Sequence, residues 1–153
     1  MRGVHMAWIP LLIACAAVKP THESTALPAL FRRTMCFGPC AAYTAEFGAD
    51  GKAQLALVRG AEGSPLGELL PGTYTGTFDV SDFAAVAEAA GACGYWDLDS
   101  VYDNPMIMDL PAVETTLAGH RVYNRHGGPD LRALYGALDS VVFRVNWLPN
   151  STN

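Results

Sequence analysis

Residues 43–58 read YTAEFGADGKAQLALV, and this stretch decides the architecture of the chain. Polar and apolar residues alternate on both sides of Asp50-Gly51, which is the pattern of a β-hairpin. A three-residue loop, with Gly51 in the left-handed conformation, puts the apolar side chains of both strands on one face, whereas a two-residue loop sets Phe47 against Gln54. We therefore expect the three-residue loop. It pairs Tyr43 with Leu57, Ala45 with Leu55 and Phe47 with Ala53.

Two further segments extend this pattern toward the C-terminus. Residues 72–78 are rich in β-forming residues between turn residues and predict a third strand. Asp79 or Ser81 is a suitable N-cap for a helix that ends at Gly94. Its apolar face is narrow and made mostly of small residues at helical spacing, namely Phe83, Val86, Ala87, Ala90 and Cys93.

A second hairpin and a second helix follow. Residues 113–118 and 121–125 predict two strands joined by a Gly119-His120 turn. The expected cross-strand pairs are Leu117 with Val122 and Glu114 with Arg125. Pro129 suits the first position of a helix whose apolar stripe is Leu131, Leu134, Tyr135, Leu138, Val141, Val142 and Val145. This order of elements predicts an α+β fold, an antiparallel sheet of about five strands with two helices packed on one face.

The first residues resemble a bacterial lipoprotein signal sequence. Met6–Ala14 is an apolar run of the length of a signal-peptide core, and Leu12-Ile13-Ala14-Cys15 resembles the lipobox. In this interpretation, Cys15 receives diacylglycerol after the residues before it are removed. Two alternatives stay open. One is an ordinary cleaved signal, because Ala14-Cys15-Ala16 also fits a small-x-small site, and the other is a buried N-terminal segment of a cytosolic protein.

We expect four parts in the chain. Residues 1–14 are the signal peptide, and residues 15–30 are a lipidated tether that spans on the order of 20 Å as a random coil. Residues 31–147 form a single α+β domain, and residues 148–153 form a C-terminal tail. After the first residues, no apolar run approaches the roughly 18 residues of a membrane-spanning helix. The protein is therefore expected to be exported and anchored to a bacterial membrane by lipid, facing the periplasm or the cell exterior.

The segment Arg33-Thr34-Met35-Cys36-Phe37-Gly38-Pro39-Cys40-Ala41-Ala42-Tyr43 resembles domain-of-unknown-function family 6438, an uncharacterised bacterial family. Members of that family begin with the pattern Arg-Thr-x-Cys-Phe/Tyr-Gly-x-Cys-Pro-x-Tyr. The similarity extends over residues 31–139, and this chain departs from it by having Ala41 in place of proline. Many relatives look exported or lipid-anchored, so the resemblance implies the same here. It implies no activity.

Cys36 and Cys40 are separated by the turn-forming triplet Phe37-Gly38-Pro39, which can bring the two sulfurs within bonding reach. A structural disulfide is the simplest interpretation in an oxidising compartment. Free or otherwise paired thiols and a redox dithiol stay open as alternatives. Cys93 is expected to be a small buried residue, although a pairing of Cys36 with Cys93 also stays open.

The pairs Cys36/Cys40 and His120/His126 have spacings that occur in zinc sites. If residues 121–125 form a strand, the two histidines lie at its opposite ends, about 20 Å apart. Ligands of one zinc ion must lie within a few ångströms of each other. We therefore expect neither a metal nor a cofactor.

Residues 97–112 are the longest stretch between predicted elements and contain four carboxylates, Asp97, Asp99, Asp103 and Asp109. They form a candidate cation or ligand site, although the glycine and terminal glutamate of an EF-hand are missing. The same stretch contains many apolar residues. We expect Tyr102, Met106 and Met108 to hold this acidic loop in place by burial, without a metal. Catalysis by the loop is the other alternative.

The 153-residue chain has a net charge of −5 and scattered basic residues, which argues against a nucleic-acid partner. It contains no Gly-rich phosphate loop, Gly-x-Ser-x-Gly elbow or His-Glu-x-x-His motif. We therefore expect a non-enzymatic cell-envelope lipoprotein that binds an envelope protein or a small ligand. The alternative is an envelope enzyme that uses the acidic loop or a Cys36/Cys40 redox pair. A cleft that joins the acidic loop to Arg32 or Arg33 would favour such a site.

Overall fold

The computed structural model describes residues 28–150. The expected signal peptide, Cys15, most of the expected tether and the last three residues of the expected tail lie outside the described residues. Within 28–150, the chain forms one mixed sheet of eight strands and two α-helices. The strands are β1 (Ala29–Arg33), β2 (Ala42–Phe47), β3 (Lys52–Arg59), β4 (Gly72–Thr77), β5 (Val101–Tyr102), β6 (Val113–Leu117), β7 (His120–Asn124) and β8 (Leu148–Pro149). The helices are α1 (Phe83–Ala92) and α2 (Arg132–Arg144).

The strands lie in the order β5-β7-β6-β1-β2-β3-β4-β8. Neighbouring strands are antiparallel, except that β5 and β7 are parallel. The α+β class is confirmed, whereas the expected sheet of about five antiparallel strands is only a rough match. The strands that were not expected are β1, β5 and β8. Because β5 and β8 contain two residues each, they are too short to show an alternating pattern.

One face of the sheet is covered by both helices and forms the core. In β3, for example, Ala53, Leu55 and Leu57 are buried and alternate with exposed residues. Phe83 of α1 packs edge-on against Phe47 of β2, with ring centroids 5.2 Å apart. From α2, the fully buried side chains are Leu134, Leu138, Val141 and Val142. Among residues 28–150, neither helix has the length and hydrophobicity needed to cross a bilayer.

The hairpin of β2 and β3 has the predicted register. Tyr43 lies opposite Leu57, Ala45 opposite Leu55, and Phe47 opposite Ala53. The Gly48 N–H donates to the Lys52 carbonyl at 2.8 Å and closes the three-residue loop. Gly51 has a φ of +78°, the left-handed conformation that this loop requires and that glycine adopts without strain. The three-residue loop is therefore confirmed.

β1 lies between β2 and β6, although its first residues belong to the segment expected to be a tether. Ala29 is buried, and Phe31 is completely inaccessible to solvent. Phe31 lies opposite Ala45 in β2 and Thr115 in β6. Within residues 28–150, the sheet therefore begins at Ala29, two residues before the start expected for the domain. Five residues carry too little pattern to mark a strand, and the burial of β1 arises from the two hairpins that flank it.

The second hairpin differs from its predicted register. The turn consists of Ala118 and Gly119, both with positive φ, so that Leu117 lies opposite His120 and Glu114 lies opposite Tyr123. The expected Gly119-His120 turn is therefore wrong, because a two-residue hairpin turn with two positive φ values places glycine favourably at its second position. The shift of the register is an even number of residues, so each side chain keeps its expected face.

The helices begin and end near the expected residues. The Asp79 side chain accepts a hydrogen bond from the Ser81 N–H and caps a short 3₁₀ turn before α1, and Gly94 takes the left-handed conformation after it. α2 begins at Arg132 rather than at Pro129. The Pro129 carbonyl instead accepts a hydrogen bond from the Asn124 side chain, which ties the segment before α2 to the end of β7.

Candidate functional site at the disulfide end of the sheet

Several loops leave the sheet at the same end. Arg33, the last residue of β1, lies opposite Tyr43 near the start of β2 and Val113 at the start of β6. Val113 in turn lies opposite Asn124, the last residue of β7. We call this the disulfide end, because the Cys36–Cys40 loop follows β1 there. The opposite end of the sheet contains the two hairpin turns and Pro28.

Cys36 and Cys40 lie at disulfide-bonding distance, with their Cα atoms 6.1 Å apart. The predicted pair is therefore supported, and Cys93 is in no disulfide within the described residues. The Cys93 thiol is half-buried and donates to the Ala90 carbonyl near the end of α1. The disulfide closes a small ring whose middle residue, Gly38, has a φ of +150°.

Arg59, the last residue of β3, contacts both ends of the Cys36–Cys40 loop. Its Nε donates to the Cys40 carbonyl at 3.0 Å, and its Nη2 donates to the Cys36 carbonyl at 3.3 Å. The same Nη2 lies 3.5 Å from the Cys40 Sγ. Arg59 is not among the residues that the sequence pattern indicates. Its position at the end of an apolar strand that pairs with the segment just after Cys40 could have indicated a contact with the Cys36–Cys40 loop.

Large apolar side chains are exposed on two neighbouring loops at the disulfide end. The Thr34 N–H donates to the Ala112 carbonyl, and the Ala112 N–H donates to the Thr34 Oγ1, so that the loops before β6 and after β1 are joined. Phe37 is 90% exposed. We call the exposed apolar side chains of these loops the apolar tip, and they are Met35, Phe37, Met106, Met108 and Leu110.

The exposure of the methionines corrects one expectation. Met106 and Met108 are 88% and 79% exposed, so they do not hold the acidic loop by burial. Tyr102 does pack against the core, as expected. Polar contacts also hold the loop, because Arg125 forms an ion pair with Asp103 and donates to the Asn104 carbonyl.

The four carboxylates of the acidic loop do not converge. Asp103 is paired with Arg125, whereas Asp97, Asp99 and Asp109 are exposed and form no ion pair within residues 28–150. In the same part of the chain, no three His, Cys, Asp or Glu side chains are grouped as a metal site would require.

The two histidines lie at opposite ends of β7, as the sequence predicts. His120 opens β7 and packs against the Tyr95 ring, with centroids 5.3 Å apart. His126 follows the other end of the strand. They cannot serve one metal ion together.

Neither of the two arginines near the loop reaches the acidic residues. Arg32 lies 3.7 Å from Glu114 on the face without helices. Arg33 lies on the opposite face and pairs with Asp139 of α2. The cleft that would join the acidic loop to either arginine is therefore not formed.

Arg33, Tyr43 and Asp139 form a polar cluster between the sheet and α2. Arg33 donates from Nε to the Asp139 Oδ1 at 2.9 Å and from Nη2 to the Asp139 Oδ2. The Tyr43 hydroxyl also donates to the Asp139 Oδ1. Burial raises the pKa of Tyr43 far above its ordinary value, and the charge of Asp139 raises it further. Tyr43 therefore remains a hydrogen-bond donor, and both carboxylate oxygens of Asp139 are engaged.

The sequence pattern does not predict this cluster either. Arg33 and Tyr43 belong to the segment that carries the family resemblance, and Asp139 follows Leu138 on the apolar stripe of α2. Asp139 borders a buried helix face, and a charged residue in that position needs a partner. Its position could therefore have predicted an ion pair.

A shallow cavity of about 630 Å³ lies at the opposite end of the sheet. It is lined by Pro28, Leu30, Phe47, Lys52 and neighbouring residues. Lys52 forms an ion pair with Asp50 on the cavity rim, 2.8 Å away. The charged residues in its lining are Glu46, Asp50 and Lys52.

Comparison with known families assigns the chain. Residues 29–142 match the model of the family described as Domain of unknown function (DUF6438). The chain belongs to DUF6438. The match begins with β1 and ends inside α2, close to the range that the sequence resemblance covers, and it contains the disulfide, Arg59 and the Arg33–Tyr43–Asp139 cluster.

No curated protein and no solved structure matches the chain. The DUF6438 description names no activity.

Proposed function

We propose that this protein is an exported lipoprotein, anchored through Cys15, whose DUF6438 domain binds another envelope protein through the apolar tip without catalysing a reaction. The observation that carries the proposal is the exposure of Phe37, Met106 and Met108 at the disulfide end of the sheet. Exposed clusters of large apolar side chains mark interaction surfaces in soluble domains. Aromatic residues and methionine are also enriched in protein interfaces.

The loops of the apolar tip are held in place before any partner binds. The Cys36–Cys40 bond and the Arg59 hydrogen bonds restrain one loop, and the Arg125 contacts restrain the other. A surface that is already ordered loses less conformational entropy on binding, so more of the contact energy remains as affinity. This favours specific protein recognition over loose adhesion.

Two carboxylates at the disulfide end of the sheet are already engaged, which favours a structural role over catalysis for both of them. Asp139 is engaged by Arg33 and Tyr43, and Asp103 is engaged by Arg125. A general base or nucleophile needs a side chain that is free to reach a substrate. These carboxylates are instead used to hold elements of the fold together.

The position of the tip favours a protein partner over the membrane. The chain enters β1 at Pro28, and the tip lies at the other end of this strand, about 15 Å away at 3.3 Å per residue. A lipid anchor upstream of Pro28 would hold the cavity end of the sheet nearer the bilayer. The apolar tip would then lie farther from the bilayer on average, although a random-coil tether on the order of 20 Å in span does not fix the orientation of the domain.

The anchor is tested by replacing Cys15 with serine in the natural host. The variant should move from the membrane fraction to the soluble fraction and should lack the mass of the lipid, because two or three acyl chains provide the attachment. A Cys93→Ser variant is the matched control and should stay with the membrane. Unchanged fractionation of Cys15→Ser, together with no loss of the lipid mass, would disprove the anchor.

The tip is tested by site-specific photocrosslinking in cells. A photoreactive residue at position 37 or 106 should give one discrete protein adduct, and Met108→Asp should abolish it. The control position is Gln54, which is exposed on the sheet face without helices. Equal adducts from positions 37 and 54 would contradict the binding surface.

A vesicle experiment separates the partner from the membrane. The Cys15→Ser protein is mixed with phosphatidylglycerol and phosphatidylethanolamine vesicles and floated on a density gradient. We expect no flotation. Flotation that Phe37→Asp abolishes would mean that the tip inserts into lipid, and the protein-binding proposal would be wrong.

A further inference from the structure

The guanidinium of Arg59 is a cation placed next to one sulfur of the disulfide. Its Nη2 lies 3.5 Å from the Cys40 Sγ, while its other contacts are to backbone carbonyls. No carboxylate within residues 28–150 forms an ion pair with Arg59. The positive charge is therefore not neutralised by an acidic neighbour, and it faces the Cys40 sulfur.

A cation beside a sulfur has unequal effects on the two redox states. A disulfide sulfur is neutral and gains little from it, whereas a thiolate is negative and is stabilised. Arg59 therefore favours the state in which the bond is broken and Cys40 carries the charge. A thiol that ionises readily is also the better leaving group in thiol–disulfide exchange.

The disulfide is also accessible to a reductant. Phe37, Gly38 and Pro39 are exposed, and both cysteines are only half-buried. The bond closes a short ring, and the stabilisation that a disulfide provides by loop closure is smallest for short rings. Its main contribution is thus to shape the loop that presents Phe37 rather than to hold the domain together.

We propose that Cys36–Cys40 is a site of thiol–disulfide exchange with a dithiol, in which Cys40 is the leaving thiolate and Arg59 stabilises it. A thiolate of the dithiol attacks the Cys36 Sγ, the Cys36–Cys40 bond breaks, and Cys40 leaves as a thiolate. The second thiol of the dithiol loses its proton to solvent. It then attacks the dithiol's first sulfur in the mixed disulfide. Cys36 is then released and takes a proton from solvent. The dithiol is oxidised to a disulfide, and the protein disulfide accepts the two electrons.

This inference does not depend on the proposed binding function. The exchange would stand if the apolar tip had no partner, and a partner could bind the tip if the disulfide were inert. Cys93 takes no part, because its thiol lies at the end of α1 and donates to the Ala90 carbonyl.

The direction of cleavage is tested on the purified full-length protein with glutathione as a monothiol probe. The reaction is quenched early with iodoacetamide, and fragment-ion mass spectrometry locates each modification. We expect glutathione on Cys36 and the alkyl group on Cys40. The reverse assignment, or an equal mixture of the two, would overturn the proposal.

The role of Arg59 is tested by replacing it with glutamine and with lysine. Removing the charge should slow glutathione attack and should slow alkylation of reduced Cys40 at pH 7 by about threefold, because the loss of thiolate is partly offset by higher intrinsic nucleophilicity. Alkylation of Cys36 should change less. Arg59→Lys should restore much of the rate, because it keeps the charge.

Two controls separate the effect of the Arg59 charge from a general loss of charge and from unfolding. Arg32→Gln removes a positive charge from the other face of the sheet and should leave the Cys40 rate unchanged. Thermal melts of the oxidised variants report whether the fold survives. If reduced Cys40 is alkylated as slowly in folded Arg59→Lys as in folded Arg59→Gln, the rate depends on the hydrogen bonds to the loop carbonyls and not on the charge. The role proposed for Arg59 would then be wrong.

Discussion

Arg33 and Asp139 form a doubly hydrogen-bonded ion pair that joins β1 to α2 across 106 positions of sequence. The Arg33 guanidinium also lies over the Phe31 ring, 5.0 Å from its centroid. Because the two charged side chains are 26% and 21% exposed, the pair is only partly screened by solvent. It connects the segment that carries the family resemblance to the last helix of the domain.

We expect Arg33→Met to lower the free energy of unfolding by about 1.5 to 3 kcal/mol, because the Asp139 carboxylate loses two charge-assisted hydrogen bonds. The matched control is Arg132→Met. Its pair with Asp130 is highly exposed and screened by solvent, so we expect a much smaller change than for Arg33→Met. Urea unfolding measures both. Equal effects of the two substitutions would contradict a structural role for the Arg33 pair.

Alkaline pH should destabilise the domain through buried tyrosines. Burial raises the pKa of Tyr95 to about 12, whereas its ordinary value is 10.0. Because the folded state holds this proton more tightly, the stabilisation is fully present below pH 10 and is lost as the pH rises toward 12. Tyr95→Phe should therefore flatten the fall of the unfolding free energy in that window. An unchanged slope would show that Tyr95 does not contribute.

Gly76 in β4 lies against the chain that follows α2. A Cβ at this position would lie 2.9 Å from the Asn146 carbonyl oxygen and would overlap with the Val145 side chain. We expect Gly76→Ala to cost about 1 to 3 kcal/mol of stability through overpacking. Gly136→Ala is the control, because nothing lies within 4 Å and alanine favours a helix by about 0.5 to 1 kcal/mol. Thermal melts of both variants should shift in opposite directions.

The acidic loop should depend on Arg125 rather than on calcium. Arg125→Met removes the ion pair with Asp103 and the bond to the Asn104 carbonyl, so the backbone amides of residues 104–112 should exchange with deuterium about tenfold faster. Excess calcium should leave the melting temperature of the wild-type protein unchanged. Saturable stabilisation by calcium that Asp99→Asn abolishes would instead identify a cation site.

The sequence predicted the elements whose pattern is local. The β2–β3 hairpin has the expected register, because a one-residue slip would expose its entire apolar face. The stripe of α2 identified a buried helix, and Leu138 and Val142 are fully buried. The turn predicted for the second hairpin is wrong. A shift by an even number of residues keeps every side chain on its face, so the apolar pattern does not distinguish the two turns.

The sequence by itself determined the α+β class and the family, because alternation, helical spacing and a short motif are properties of neighbouring residues. It favoured the Cys36–Cys40 pair and left a Cys36–Cys93 pairing open. Only the tertiary structure decided that Ala29–Arg33 is an inner strand, that Arg59 lies beside Cys40, and that Met106 and Met108 are exposed. Each of these depends on segments far apart in sequence. Their contacts arise when sheet order and helix packing bring them together, and no local pattern encodes that order.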